Sequence, residues 1–281
     1  MALPSSVIGE CTRTRPNSRQ EAAWRVKGVA SGRRWPTWVR GAAGIITLAL
    51  VWELLPPLGV VNPYFLPPLH VALESLWSML QDGELATNLG ASLVRSLSGF
   101  SLAIVTAIPL GAAIAWYRPV RELLTPVLEI FRNTAALAIL PVITLILGIG
   151  ETSKIAIVTY ACFFPILLST ITGVATVETQ LLRSARVLGL SPLATFRKVV
   201  FPAALPSIFT GVRISGASAI LVLIAAEMVG ANSGLGYLIS YSQNNFLIPK
   251  MYAGILTTSA LGVTINYSLV AVERRLSRWR S

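Results

Sequence analysis

A chain of 281 residues that is 54% apolar, only 12% charged and has a mean hydropathy of +0.67 carries too much apolar surface for a water-soluble domain of this size, and belongs in a bilayer. Two cysteines, 21 Gly and 17 Pro exclude a disulfide scaffold and a collagen-like fibre, and the apolar excess excludes a disordered chain. Roughly five to seven spans with short loops use up the 30.1 kDa, so no folded soluble catalytic domain is expected and any large catalytic machinery has to come from partners.

Residues 1–40 form a basic tail with Arg13, Arg15, Arg19, Arg25, Lys27, Arg33, Arg34 and Arg40 and almost no apolar periodicity before Trp24. Such a tail is expected to lie disordered on anionic headgroups. Residues 41–87 hold a first span, Gly41 to Leu55, with Glu53 near its end before Pro56-Pro57, and an outward loop. Forty residues precede that span and no small-x-small site follows it, so cleavage as a signal peptide is not expected. His70 reads as a loop residue rather than a ligand.

A charged residue at a span centre costs ~2.5–3.5 kcal/mol, so stretches free of Lys, Arg, Asp and Glu mark spans. Four stand out: 96–117 with 22 residues, 133–150 with 18, 155–177 with 23 and 251–272 with 22. At ~1.5 Å per residue each approaches the ~30 Å hydrocarbon thickness. A further span at 211–230 carries only Glu227, near its end. Pro109, Pro141 and Pro165 interrupt backbone bonds within spans, as kinked helices around a cavity or ordinary packing would both allow. The expected fold is therefore an all-α membrane protein with six transmembrane helices, five of them in a core at 88–272, followed by a short tail at 273–281.

Lys and Arg test this topology. The tail, 118–132, 178–213 and 273–281 hold twenty; the alternate side holds three, Arg95, Lys154 and Lys250. The positive-inside rule then puts both termini in the cytoplasm and explains most of the +11 net charge. Nucleic-acid binding is the rival account of a pI near 10.4, but the basic residues are dispersed among spans rather than collected on one soluble module.

The longest inward loop lies between the fourth and fifth spans. Val177, Leu181, Leu182, Ala185 and Leu188 recur at helical spacing, and Gly189 is placed to end that helix in a left-handed cap. Ser191 caps and Pro192 opens a second short helix through Leu193, Phe196, Val199 and Val200, which Pro202 is expected to stop. Arg183, Arg186, Arg197 and Lys198 flank an apolar face too small to bury itself. An interfacial anchor, a DNA-reading helix-turn-helix tethered at both ends, and a docking knob for a soluble partner all fit that face.

At this loop the sequence resembles the permease subunits of bacterial ABC importers, whose signature runs Glu-Ala-Ala, three residues, Gly, nine residues, Ile-x-Leu-Pro. Here Arg183-Ser184-Ala185, Gly189 and Val199-Val200-Phe201-Pro202 fall in that frame, with Arg183 replacing the acid. Ala91 to Arg95 with Gly99-Phe100, Gly148 to Lys154, Ala226 to Met228, Gly234 to Ile239 and Glu273 to Arg275 are similar to the branch importing sulfonates, taurine and nitrate. Asn133-Thr134 stands where that branch is richer in Pro, and Asn266 where an acid is common in the last span.

The resemblance implies a type I ABC importer permease fold with a cytoplasmic coupling helix in the cytoplasmic (inner) membrane, and a solute that is a small anion. It further implies ABC ATPase subunits as partners that bind the ATP, a second permease copy, and an extracytoplasmic substrate-binding protein. The docking loop would use Arg183, Ser184, Ala185, Leu188, Gly189, Pro192, Phe196 and Pro202. The chain has no Gly-x4-Gly-Lys-Ser/Thr loop to hold nucleotide, and the glycines from Gly230 to Gly236 read as an outer turn. No cofactor, metal site or catalytic residue is expected.

Arg95, Glu129, Arg132 and Glu227 either face water or each other, or snorkel from span ends. Arg95 is the best single attractor of an anion, with Asn133, Thr134 and Ser169 as further pathway residues. A gradient-driven secondary transporter or channel is the alternative function, and lacks an evident inverted repeat; a membrane enzyme lacks a metal or nucleophile constellation.

Overall fold

The computed structural model describes residues 37–276; the basic tail to residue 36, with Cys11, and the last five residues lie outside the described residues. Helix α1 (Thr37–Leu54) runs into a region from Trp52 onward that forms its own compact unit, separate from Met1–Val51. The apolar part of α1, Ala43–Leu54, is about 18 Å long at 1.5 Å per residue, short of a bilayer's hydrocarbon thickness.

Within the second unit the stretch expected to be an outward loop contains a helix, α2 (Leu69–Gln81). Pro67-Pro68 open it and Gly83, at φ +75°, marks its end, while Ala72 and Met79 point into the protein. Glu53 receives the His70 backbone N–H at 3.2 Å and meets its Nδ1 at 2.6 Å, placing a carboxylate at the first turn of α2.

Helix α3 (Glu84–Trp116) begins well before the charge-free run at 96–117, because Arg95 lies inside the helix and is neutralised there. The run at 133–150 is not one straight span. Helix α4 (Arg118–Asn133) and helix α5 (Ala136–Leu147) meet at a 90° bend, and α5, with 12 residues, is too short to cross alone. Helix α6 (Glu151–Ala175) is central, with α3 and α9 (Phe201–Met228) packed on it; Ile157, Val158, Ile166 and Leu167 of α6 and Leu223 of α9 are fully buried. Helices α10 (Leu235–Asn244) and α11 (Ile248–Leu276) complete the unit.

Small residues set the approach of these helices, as packing rather than hydrophobic contrast does in lipid. A Cβ on Gly99 of α3 would come 2.8 Å from the Cβ of Val158, and one on Gly111 would come 2.9 Å from the Leu167 carbonyl. A Cβ on Gly211 of α9 would come 2.5 Å from the Cβ of Ser169 of α6.

Among the described residues four helices are long and apolar enough to cross a membrane: Glu84–Trp116, Glu151–Ala175, Pro192–Met228 and Ile248–Arg275. The bent pair makes five. The fifth span is longer than the expected 211–230 because Pro202 does not stop the helix. Helix α8 (Pro192–Thr195) passes through a π-turn, Phe196–Val200, directly into α9. In that turn the Phe201 N–H reaches back five residues to the Phe196 carbonyl. The wider turn lets the chain pass Pro202, which lacks a donor and would crowd the carbonyl four residues back in a regular helix.

Candidate functional site

Three arrangements carry the polar chemistry. The first is a buried ion cluster where α3, α6 and α9 converge near the glycine turn after α9. Arg95 of α3 is 3% exposed and all five of its N–H donors are engaged. Nε and Nη2 grip the Glu151 carboxylate, the latter at 2.6 Å; Nη1 donates to Glu227 at 2.7 Å and to the Ser233 carbonyl at 2.6 Å; Nη2 also donates to Ser233 Oγ at 2.9 Å.

Glu227 has no side-chain exposure. The Ser92 hydroxyl lies 2.8 Å and 2.9 Å from its two oxygens, and the Gly236 N–H donates to it at 3.0 Å. Ser92 in turn accepts the Leu235 N–H, and Asn88 the Gly234 N–H, both at 2.8 Å. The turn can wrap Glu227 this closely because Gly234, at φ +116°, has no Cβ; a Cβ there would overlap the carboxylate. Lys154, also buried, donates to the carbonyls of Gly150 at 3.1 Å and Gly230 at 3.5 Å. The glycine run is thus the turn expected from sequence, and the charges near it face each other. With no donor of Arg95 unengaged, the cluster is built to lock helix ends together.

The second arrangement is a polar cavity of about 390 Å³ among α4, α6 and α9, lined by the Glu129–Arg132 pair (2.7 Å), Ser169, Thr172, Ser207 and Thr210, with Pro165, Leu168 and Ile214 as apolar walls. Ser169 is the one expected pathway residue on this wall. Asn133 and Thr134 stand exposed at the bend beside Arg132, and Thr134 Oγ1 is tied to the Ile130 carbonyl at 3.0 Å. Thr172, Ser207 and Thr210 escaped sequence reading. Their signal was the repeated three-residue spacing of hydroxyls on two neighbouring helices, 169/172 and 207/210.

The third is the elbow at 178–202. Helix α7 (Thr179–Val187) closes in a full Schellman motif: Leu190 N–H bonds the Ala185 carbonyl at 3.1 Å, Gly189 N–H bonds that of Arg186 at 3.0 Å, and Gly189 has φ +67°. Ser191 Oγ accepts the Ala194 N–H at 3.3 Å, and Pro192 takes the first position of α8. Ala185 is buried, while Arg183, Ser184 and Arg186 are exposed. Phe196 meets Trp116 of α3 edge-on at 5.2 Å between ring centroids, fixing the elbow against the span end. Val187 and Leu188, 88% and 76% exposed, project at the corner. Pro202 sits within the start of α9 rather than at a helix end.

Among the described residues no group of three or more His, Cys, Asp or Glu gathers as metal ligands, and Cys162 is a buried thiol bonded to the Ser215 carbonyl at 3.4 Å.

Four helices long and apolar enough to cross a membrane, with α3 and α9 packed on α6, define a multi-pass α-helical membrane protein. Residues 107–278 match the binding-protein-dependent transport system inner membrane component family, and the chain belongs to that family of ABC importer permeases. It is 38% identical to a probable ABC transporter permease protein of Brucella abortus (strain 2308), over 82% of this chain and 90% of that one. The taurine transport system permease protein of Escherichia coli K12 is 34% identical, covering 88% of this chain and 92% of its own. The nitrate import permease protein of Synechocystis is 30% identical, with 85% and 89% covered. The inward-facing MetNI methionine ABC transporter shares the fold, with TM-score 0.59 at 21% identity over 66% of this chain and 93% of the solved one.

Proposed function

We propose that the chain is the membrane-spanning subunit of an ATP-driven importer for a small anion of the organic sulfonate, taurine or nitrate kind. Two copies pair about a two-fold axis, with both termini in the cytoplasm. A binding protein delivers solute at the outer face, and ATPase subunits grip the elbows from inside. The observation that carries this reading is the elbow itself. A Schellman-closed helix presents Val187 and Leu188 to the surroundings, and α8 continues through the π-turn into a helix of 37 residues. A push on that corner is transmitted along one rigid element into the core, as a docking knob requires and a lipid anchor does not.

In this reading Arg95 holds the outer ends of α3, α6 and α9 together and does not touch cargo. The polar cavity supplies the pathway wall, with Arg132 for the anionic group and the hydroxyls of Ser169 and Thr172 for its oxygens, those of Ser207 and Thr210 being already donated to the Ser169 and Pro206 carbonyls. Glu129 stands ready for the ammonium of a zwitterion such as taurine. The relatives that transport taurine and nitrate support this choice of cargo.

Detergent-extracted protein is expected to bring down an ATPase subunit and, reconstituted with it and a binding protein, to move solute only with ATP. Solute movement in liposomes by this chain alone, driven by an ion gradient, would establish secondary transport instead.

A further inference from the structure

We infer that the face of the elbow turned toward the spans is a binding site for one anionic phospholipid, with the headgroup on Arg121 and Arg186 and an acyl chain beneath Trp116.

Two cavities meet there. One, about 640 Å³, is apolar; Ile108, Pro109, Ala112 and Ala113 of α3 form one wall, and Phe196 and Phe201 lie opposite. The other, about 430 Å³, is lined by Arg121 of α4, Arg186 of α7 and Thr195, with apolar residues behind them. Trp116 and Pro192 belong to both, so the apolar groove opens directly onto the basic pocket.

The charges are unmatched. Arg118 pairs with Glu122 at 2.7 Å and Arg132 with Glu129 at 2.7 Å, but no carboxylate among the described residues lies within 4.0 Å of Arg121 or Arg186. From Trp116 back to Ile108 the groove follows α3 for about 12 Å at 1.5 Å per residue, a depth that suits hydrocarbon. Trp116 and the exposed Tyr117 sit at its mouth, where aromatic rings mark a headgroup boundary. A soluble anion would satisfy the arginines and leave the groove open to water; a neutral lipid would fill the groove and leave the arginines unmatched. An anionic phospholipid does both. Val187 and Leu188 line neither cavity, whereas Pro192 and Phe196 of the docking loop do, so a lipid on this face leaves the projecting corner itself free for a protein.

The test uses the full chain, delipidated in detergent and titrated with dioleoyl phosphatidylglycerol or dioleoyl phosphatidylethanolamine under native mass spectrometry. One phosphatidylglycerol per chain should be retained, with roughly tenfold preference over phosphatidylethanolamine. Arg121→Gln with Arg186→Gln should reduce it to the phosphatidylethanolamine level, whereas the paired Lys variants should keep the preference. Ala113→Trp, which fills the groove and spares both arginines, should abolish retention. Equal retention of the two lipids, a preference that survives the double Gln variant, or unchanged binding in Ala113→Trp would overturn the proposal. So would displacement of the lipid by inorganic phosphate at millimolar concentration, which would make this a headgroup site only. In membranes, a photo-cross-linker at position 113 should capture acyl chain; capture of a second copy or of an ATPase alone would equally refute it.

Discussion

Glu227 is a carboxylate with no side-chain exposure whose only countercharge at hydrogen-bond distance among the described residues is Arg95. Removing one member of such a buried pair leaves the other unmatched, at ~3–5 kcal/mol. Glu227→Gln should therefore lower the melting temperature in detergent sharply. Glu151 grips the same guanidinium from a side chain that is 64% exposed, so Glu151→Gln should cost ~1 kcal/mol or less. Equal effects of the two changes would contradict the geometry. A second residue-scale prediction concerns Phe246, which ends α10 at φ +56°, a conformation that disfavours a side chain by ~1–2 kcal/mol. Phe246→Gly should raise the melting temperature of the isolated chain in detergent, where the ring is exposed; an unchanged or lower value would contradict this. The charged residues near span ends were visible in the sequence, but their partners were not. Ser92, Arg95, Glu151 and Glu227 come from three helices, and only a folded core shows which of them meet.

At the scale of elements, the elbow's corner was legible because its signals are local: Gly189 for a left-handed cap, then Ser191-Pro192 for a new start. A Cβ on Gly189 meets nothing within 4 Å, so the penalty for substitution comes from its φ of +67°. Gly189→Val should loosen the elbow, seen as faster amide exchange over 179–195, and lower transport; unchanged exchange would show that the cap is not the fixing element. Gly211 is the opposite case, forbidden a side chain by Ser169 rather than by its backbone. Gly211→Leu should separate α9 from α6 and cost stability like other overpacked cores, about 1–3 kcal/mol or more. Less legible was the bend between α4 and α5. The residues Asn133-Thr134-Ala135 contain neither Gly nor Pro, so no local breaker marks a 90° turn inside a charge-free run. Helix α2 was overlooked although Pro67-Pro68 and Gly83 bracket it, because charge-free length finds spans and passes over amphipathic helices.

For the whole molecule, the apolar excess already pointed to a multi-pass membrane protein, the motifs around the elbow carried the resemblance to a permease, and the match over residues 107–278 places the chain in that family. Composition could not show the route proposed for force into the core, since it rests on α8 and α9 being continuous through the π-turn. The most direct test of that coupling is a disulfide or short cross-link from Leu188→Cys, in a background with Cys11 and Cys162 replaced by Ser, made during ATP turnover in the complete complex. A cross-link to the ATPase subunit whose yield changes with bound nucleotide is expected, with loss of solute uptake once it forms. A cysteine at 188 that reacts only with lipid-soluble reagents, with uptake continuing, would contradict it.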